Sequence, residues 1–460
     1  MHSHTDPQTR FILTANPWRV MLRLSWAAVL GMVLFGLNAF IDAIYVGQLL
    51  GEQALAGVSL AVPLTQLQVG LGALVGTGAS AVLSLAIGSR DLPTQRRLWG
   101  NVVLLSVLLA LPATALTVAF AENLVGLMGG RGTLLAIGTD FFRTYSWGTL
   151  LAVFGLGGNM LIRGEGKLKE SMLLAGIGLL ANIALNPLFI RTFGWGVPGA
   201  ALATVAANGL MSVGTVIFYA TGRASFAIDL RRYRLDRAVA GPVLNIGLSG
   251  FILSAMSIVQ ALVVFGTLTR LGTARDVAFY GAASRILILT MTPAFGLMRA
   301  LQPVVGINYG AGQFGRVREA YRVFTLTGLG LLGAFWLGMT VFSEETLSLM
   351  LPGTPFSAQD LRLFRVLILP VPVLALVFTG LTLFQSVGNA KAAGLLAIGR
   401  QLLLFVPAVW VAGRLVGVPG IYYAQTGVDL LVTGVCAGLV ALEFSRMSRR
   451  HSSSVNQPVA

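Results

Sequence analysis

The chain has 460 residues, of which 55% are hydrophobic and only 11% are charged, and its formal net charge is +15. Soluble proteins carry about 25% charged residues, so this composition excludes a soluble globular protein and indicates one that is dissolved in a bilayer. In a membrane protein an excess of Lys and Arg is expected in the cytoplasmic loops. We therefore predict no nucleic-acid partner.

Twelve apolar segments are each long enough to cross a bilayer, which takes about 20 helical residues. They predict an all-α polytopic membrane protein with twelve transmembrane helices. The segments are residues 20–49, 57–88, 99–120, 133–162, 170–191, 197–221, 242–269, 277–308, 320–342, 361–387, 393–414 and 419–443.

Basic residues are concentrated in alternate connections, and this predicts the orientation. The basic set consists of Arg90, Arg96, Arg97, Lys167, Lys169, Arg223, Arg231, Arg232, Arg234, Arg237, Arg316, Arg318, Arg322 and Lys391, with Arg10, Arg446, Arg449 and Arg450 in the tails. Lys and Arg are retained on the cytoplasmic side. We predict a multi-pass protein of the cell (inner) membrane with both termini in the cytoplasm.

The basic connection near the midpoint separates two similar halves. Gly-Val-Pro-Gly occurs at residues 196–199 and again at 417–420, and Leu-Gly occurs at 50–51 and at 271–272. Six crossings return the chain to its starting side, so the halves form a parallel repeat, an arrangement found in secondary transporters. The predicted divisions are a cytoplasmic tail (1–19), an N-lobe (20–221), a basic cytoplasmic linker (222–241), a C-lobe (242–445) and a cytoplasmic tail (446–460).

Asp42 is the most unusual residue of the first apolar segment. An Asp at the centre of a transmembrane helix costs roughly 2.5–3.5 kcal/mol by insertion scales, and intramembrane acids usually have a function. A carboxylate held away from water can exchange a proton or, with other oxygens around it, bind a cation such as Na⁺. The alternative is a structural contact with a neighbouring helix.

Polar side chains of the same half could surround Asp42. Asn182 and Asn186 share one helix face because they are four residues apart, and Pro187 leaves a backbone carbonyl nearby without its usual donor. The predicted ion-coupling set is Asp42, Asn159, Asn182, Asn186 and Thr204. The alternative is a set of ordinary interhelical polar contacts, worth about 0.6 kcal/mol each.

A second set of residues could line a cavity for flat, amphipathic cations, because Met side chains adapt to many shapes and aromatic faces attract cations. The candidate substrate-binding residues are Asn38, Tyr45, Met160, Met172, Asn208, Gln260, Met256, Arg299 and Asp429. For Asp429, a charge partner for the substrate and an ion pair with Arg299 are the two alternatives. Arg299 could also extend to the inner interface.

The sequence lacks the common motifs of catalysis. It has no phosphate-binding Gly-x-x-x-x-Gly-Lys-Ser/Thr loop, one cysteine (Cys436), and three histidines, His2, His4 and His451, which all lie in the tails. We predict no enzyme, no cofactor and no metal site.

Four stretches resemble the multidrug and toxic compound extrusion (MATE) family, most closely its DinF-like branch. They are residues 38–57, with Asp-x-x-Tyr-Val-Gly; 182–190, with Asn-x-x-x-Asn-Pro-Leu-Phe-Ile; 196–204, with Gly-Val-Pro-Gly-Ala-Ala-Leu-Ala-Thr; and 302–311, with Gln-Pro-Val-Val-Gly-Ile-Asn-Tyr-Gly-Ala. The resemblance implies two six-helix lobes in an outward-open V. It also implies export of small organic cations in exchange for H⁺ or Na⁺, with Asp42 as the coupling acid.

Asn186 departs from the pattern, because some relatives have Asp at this position. One negative charge fewer should weaken cation binding, whereas protonation of Asp42 needs no second acid, so H⁺ is favoured over Na⁺. The alternatives to a monomeric H⁺-coupled exporter are a flippase for lipid-linked saccharides and a membrane scaffold that transports nothing.

Overall fold

The computed structural model describes residues 6–226, 228–229, 233–351 and 353–455, without the side chains of residues 39, 40, 274 and 450–455. Of the residues discussed above, His2, His4, Arg231 and Arg232 lie outside this part, as do the side chains of Arg450 and His451. The described chain is helical, without any β-strand. The helices are α1 (Pro7–Thr14), α2 (Pro17–Leu50), α3 (Glu52–Gly88), α4 (Leu92–Ala119), α5 (Ala121–Leu127), α6 (Gly132–Trp147), α7 (Thr149–Gly164), α8 (Leu168–Pro187), α9 (Gly196–Ala220), α10 (Arg237–Leu271), α11 (Ala274–Gly310), α12 (Phe314–Val341), α13 (Ser343–Ser348), α14 (Ala358–Ile368), α15 (Val371–Ser386), α16 (Ala390–Ile398), α17 (Val406–Val416) and α18 (Val418–Val455).

Twelve membrane spans are formed by these helices within the described residues. Eleven are long apolar helical stretches, and the twelfth is the pair α6 and α7, which meet at a bend of 57°. Each span coincides with one of the twelve predicted segments, so the predicted fold class is confirmed. An even number of crossings leaves both ends of the described chain on one side of the membrane, called here the terminal side.

Short π-helical segments interrupt two of the spans. One, Leu188–Thr192, continues α8 directly after Pro187, and the other, Gly399–Phe405, connects α16 to α17. π-helical turns inside a helix are rare and occur frequently at functional sites. Both segments adjoin polar side chains described below.

Helix α1 was not predicted, because eight residues are too few to give a clear apolar period. It is a separate helix because Asp6 accepts hydrogen bonds from its first backbone N–H groups and Asn16 does the same for α2. Its C-terminal carbonyls are also satisfied: Arg316 Nη2 donates to Ile12 O at 3.1 Å and to Ala15 O at 2.6 Å. These bonds hold α1 against the C-lobe on the terminal side.

The two lobes are in closest contact where α3 crosses α10. A Cβ atom on Gly78 would overlap the carbonyl oxygen of Val243, and one on Gly247 would overlap the carbonyl oxygen of Leu74. Only glycine permits this approach of two helix backbones. Residues 74–78 lie in the half of α3 nearer Gly88, and 243–247 lie near the start of α10, so the lobes close against each other on the terminal side.

Hydrogen bonds attach the linker between the lobes to the N-lobe. Arg97 Nη1 donates to Asp236 Oδ2 at 2.8 Å, and the backbone N–H of Ser225 donates to Glu165 Oε2 at 2.6 Å. Glu165 lies in the turn between α7 and α8, and it is fully buried. Burial raises the pKa of Glu165 to about 7, although the Ser225 N–H and the ammonium of Lys167 favour its carboxylate form.

The buried position of Glu165 predicts a pH-dependent stability. The docked carboxyl keeps its proton up to about pH 7, whereas a released one loses it near the ordinary value of 4.5. The docked state therefore binds more protons between these values, and its stability falls as the pH rises from about 4.5 to about 7, by on the order of 3 kcal/mol in total. We expect the melting temperature of the wild type to fall relative to Glu165→Gln when both are measured in detergent from pH 5 to pH 8.

The exposed Glu122, which lies in α5, provides the matched control. Glu122→Gln should follow the wild type at every pH. Parallel melting curves for the wild type and Glu165→Gln across the whole range would show that Glu165 does not take up a proton on docking.

Candidate functional site

Asp42 lies in α2, eight residues from the end of the helix that faces away from the terminal side. Both of its carboxylate oxygens accept hydrogen bonds from the N-lobe. Asn186 Nδ2 donates to Oδ1 at 2.8 Å, and Thr204 Oγ1 donates to Oδ2 at 3.1 Å. The structure therefore brings together three helices, α2, α8 and α9, around one carboxyl group.

The amides of α8 are arranged by the local helix geometry. Asn182 and Asn186 are both fully buried, and Asn186 Nδ2 also contacts the Asn182 backbone oxygen at 3.0 Å and its Oδ1 at 3.1 Å. Asn182 Nδ2 in turn lies 3.5 Å from Thr204 Oγ1. The spacing of four residues places both amides on one face, and Pro187 ends the α-helix directly beside them.

No cation accompanies the carboxylate. None of the ion pairs in the part of the chain that the structure describes includes Asp42. The Oδ1 atom of Asn186 is buried and has no hydrogen-bond partner. A buried acceptor without a donor costs free energy, so Asn186 Oδ1 is suited to accept a hydrogen bond from one more proton donor.

Tyr145 is a member of this site that the sequence did not reveal. It is buried in α6 and lies close to Asn208 and Asp42. The chain has nine tyrosines, and nothing in the local sequence distinguishes this one. The packing of α6 against α9, just before the bend between α6 and α7, brings it to the cluster.

The comparisons with known proteins agree with this architecture. The model of the MatE family matches residues 27–188 and 246–411, which together are most of the chain. The chain belongs to the MatE family. The assignment to a DinF-like branch stays a prediction.

Relatives in this family are distant in sequence but similar along nearly the whole length. The multidrug export protein MepA of Staphylococcus aureus is 22% identical over 439 residues, which cover 94% of each chain. MepA of Staphylococcus haemolyticus is 20% identical over 441 residues, again 94% of each.

Solved MATE structures share the fold. A MATE crystal structure in the bent conformation superposes with a TM-score of 0.91 at 23% identity and covers 97% of this chain and all of that one. An outward-facing multidrug resistance MATE transporter gives 0.87 at 23% identity, covering 97% and 99%. A transporter from Pyrococcus furiosus, described as having a binding pocket of reverse polarity, gives 0.88 at 24% identity, covering 96% and 99%.

Asn159 does not contact the Asp42 cluster. Its Oδ1 accepts from Arg163 Nη2 at 2.6 Å and from Ser171 Oγ at 2.8 Å, while its Nδ2 donates to Ser171 O at 3.0 Å. Asn159 is five residues from the terminal-side end of α7, whereas Asp42 is near the opposite end of α2. The expectation that Asn159 joins this network is corrected by the different depths of the two residues.

The ion pair of Asp429 is also different from the one proposed from sequence. Asp429 is buried, and its Oδ1 accepts from Arg400 Nη2 at 2.7 Å and from Arg400 Nε at 2.9 Å. Arg400 stands at the start of the π-helical segment that follows α16. Arg299 is not its partner and instead lies within electrostatic range of Arg163.

The remaining candidates are divided between cavity and packing positions. Met256 and Gln260 line a C-lobe cavity of about 130 Å³, together with Arg400. Met160 and Met172 are buried against Gly76 of α3 and Gly31 of α2, so they fill helix contacts and not a cavity. Tyr45 packs against a cluster of buried apolar side chains in the N-lobe, and Asn38 is partly exposed.

Proposed function

We propose that this MATE protein is a secondary active exporter of amphipathic organic cations, driven by exchange for H⁺ through Asp42. Two kinds of observation support the proposal. The relatives in Staphylococcus are named multidrug export proteins, and α2 presents one carboxylate within a network of uncharged donors. The basic loops favour the terminal side as the cytoplasmic side of the cell membrane.

The hydrogen bonding of Asp42 is the main observation that supports coupling of transport to proton binding. Its ionised form accepts one bond at each oxygen, from Asn186 and from Thr204. Protonation converts one oxygen into a donor, which removes an acceptor and reverses the polarity at that point. The proton therefore changes the contacts between α2, α8 and α9, and a ligand shifts a conformational equilibrium only through such a difference between the two states.

The same geometry favours H⁺ over Na⁺. A sodium site needs several oxygens directed at one point, whereas the groups aimed at Asp42 are an amide N–H and a hydroxyl donor. The unpartnered Oδ1 of Asn186 is suited to accept a bond from a protonated neighbour. We infer that Asp42 takes up the proton that is exchanged for the drug, and that it does so without a second acidic residue.

In the proposed cycle, the transporter binds the drug and the proton alternately. Drug binds while Asp42 is ionised and the lobes are open towards the cytoplasm. Protons entering from the opposite side neutralise Asp42 and release the drug there. The close contact of α3 with α10 on the terminal side fits the stage at which the cytoplasmic entrance is shut.

Proteoliposomes with separately imposed gradients test this proposal. Purified protein is reconstituted, a fluorescent organic cation is supplied, and a pH gradient or a Na⁺ gradient is applied alone. We expect exchange with the pH gradient and background rates with the Na⁺ gradient. Exchange driven by Na⁺ alone would refute proton coupling, and no exchange with either gradient would refute the exporter.

The flippase alternative depends on two half-buried arginines. Arg163 and Arg299 lie within electrostatic range of each other, and such a pair would suit an anionic lipid-linked saccharide. The same proteoliposomes containing a fluorescent lipid diphosphate distinguish the two functions. Movement of this lipid between leaflets, without exchange of organic cations, would favour the flippase.

A further inference from the structure

A second cavity lies on the terminal side, away from Asp42, between the first helices and the turn that joins α7 to α8. Its volume is about 320 Å³. Its lining includes Gln8 of α1, Arg23 and Trp26 of α2, and Lys167, Lys169 and Glu170 around the start of α8. Gln8 Nε2 donates to Gly166 O at 3.2 Å and joins α1 to the turn.

The walls of this cavity are cationic. Three basic side chains face one acid, Glu170. Lys167 is in part compensated, because its Nζ lies 3.8 Å from Glu165 Oε2. Neither Arg23 nor Lys169 takes part in any ion pair within the described residues. The guanidinium of Arg23 instead stands over the ring of Phe11, 4.6 Å from its centre. With three cations to one acid, and two of the cations outside any ion pair, the cavity is suited to a phosphate group.

The lipid-facing surface of α2 continues into the same cavity. Trp18, Leu22, Trp26 and Leu30 are spaced four residues apart and are 47%, 66%, 51% and 43% exposed. They form one apolar stripe on a helix that crosses the membrane. Trp26 belongs both to this stripe and to the cavity wall, so the cavity opens towards the lipid.

The length of α2 places these residues at the boundary of the hydrocarbon layer. Its 34 residues extend over about 51 Å, which exceeds the roughly 30 Å of a bilayer core by about 10 Å at each end. Arg23 and Trp26 are six and nine residues from the start of α2, near the level at which headgroups meet acyl chains. Trp is enriched at that level.

We propose that this cavity binds the phosphate headgroup of an anionic phospholipid of the terminal-side leaflet, with Arg23 and Lys169 as its charge partners and Trp26 beside its acyl chains. Basic pockets between transmembrane helices on the cytoplasmic side have this chemistry. The bound lipid connects α1, α2 and α8. The site is independent of the transport function proposed above.

Fluorescence quenching in nanodiscs tests this site. The full chain is placed in phosphatidylcholine nanodiscs. A small fraction of one brominated lipid is added, either phosphatidylglycerol with brominated chains or phosphatidylcholine with brominated chains. The difference in emission between the wild type and Trp26→Phe isolates Trp26. With two cationic partners, we expect half-quenching of Trp26 at a roughly 30-fold lower fraction of the brominated phosphatidylglycerol than of the brominated phosphatidylcholine.

Charge variants identify the partners. The double variant Arg23→Gln, Lys169→Gln should lose the preference, and Arg23→Lys, Lys169→Arg should keep it. The matched control is Arg96→Gln, Lys391→Gln, which removes the same charge from exposed residues outside the cavity and should behave as the wild type. Equal quenching by both lipids would overturn the proposal. So would a preference abolished by millimolar inorganic phosphate, since the site would then bind a soluble anion.

Discussion

Replacing Asp42 with Asn is expected to reduce H⁺-driven export to the level of protein-free liposomes while leaving a folded protein that still binds the organic cation. The Asn side chain has nearly the same shape. Its Oδ1 still accepts from Asn186, and its Nδ2 donates to the Thr204 hydroxyl, which can act as an acceptor. What disappears is the group that exchanges a proton. Transport is measured in proteoliposomes with an imposed pH gradient, and binding by fluorescence polarisation.

A chemically matched control is available in the same lobe. Asp140 lies exposed on α6, so Asp140→Asn removes an equal charge away from the cluster and should transport normally. Undiminished H⁺-driven export by Asp42→Asn, in protein with a normal melting temperature, would exclude Asp42 as the coupling group. It would leave the fold and the family assignment unaffected.

Replacing Gly247 with Val is expected to prevent the lobes from closing on the terminal side and to abolish export. The new Cβ would overlap the backbone carbonyl of Leu74, and backbone cannot move aside as a flexible side chain can. Overpacking of this kind costs typically about 1–3 kcal/mol, which shifts a two-state equilibrium by at least roughly fivefold. Gly78→Val, on the facing helix, should act in the same way through Val243.

Two measurements separate this effect from simple misfolding. A Cys introduced at Ala73, which is buried where α3 approaches Gly250, should react faster with a membrane-impermeant maleimide added from the terminal side when Gly247→Val is present. The buried Cys436 supplies the baseline. Gly266→Val is the control, because it lies on the same helix with open space around it, and it should transport normally. Unchanged reactivity and unchanged export in Gly247→Val would show that this contact does not close the transporter.

The sequence predicted the main residues of the N-lobe that form the site, but it predicted their hydrogen-bond partners only in part. Asn182 and Asn186 share a face because of helical periodicity, and both belong to the Asp42 cluster as expected. Thr204 comes eight residues after the start of α9, at a depth that matches Asp42. Asn159 could have been excluded by the same count of residues from the helix ends, since α7 has its terminal-side end at Gly164.

Side-chain partners that come from distant parts of the chain could not be predicted from local sequence. The partner of Asp429 is Arg400, not Arg299, because the π-helical segment after α16 turns Arg400 towards α18. Tyr145 similarly comes close to Asn208 and Asp42 only through the packing of the bent pair α6 and α7 against α9. Neither feature leaves a period or a motif in the sequence.

The sequence by itself determined the twelve spans, the connections in which basic residues are concentrated, and Asp42 as the unusual acid. These follow from the transfer of side chains between water and lipid, which each segment experiences independently of the others. The tertiary structure decided which donors hold Asp42, which arginine pairs with Asp429, and where the lobes close. Those outcomes depend on helix rotation, depth and close backbone approach, and these are set only when all the helices pack together.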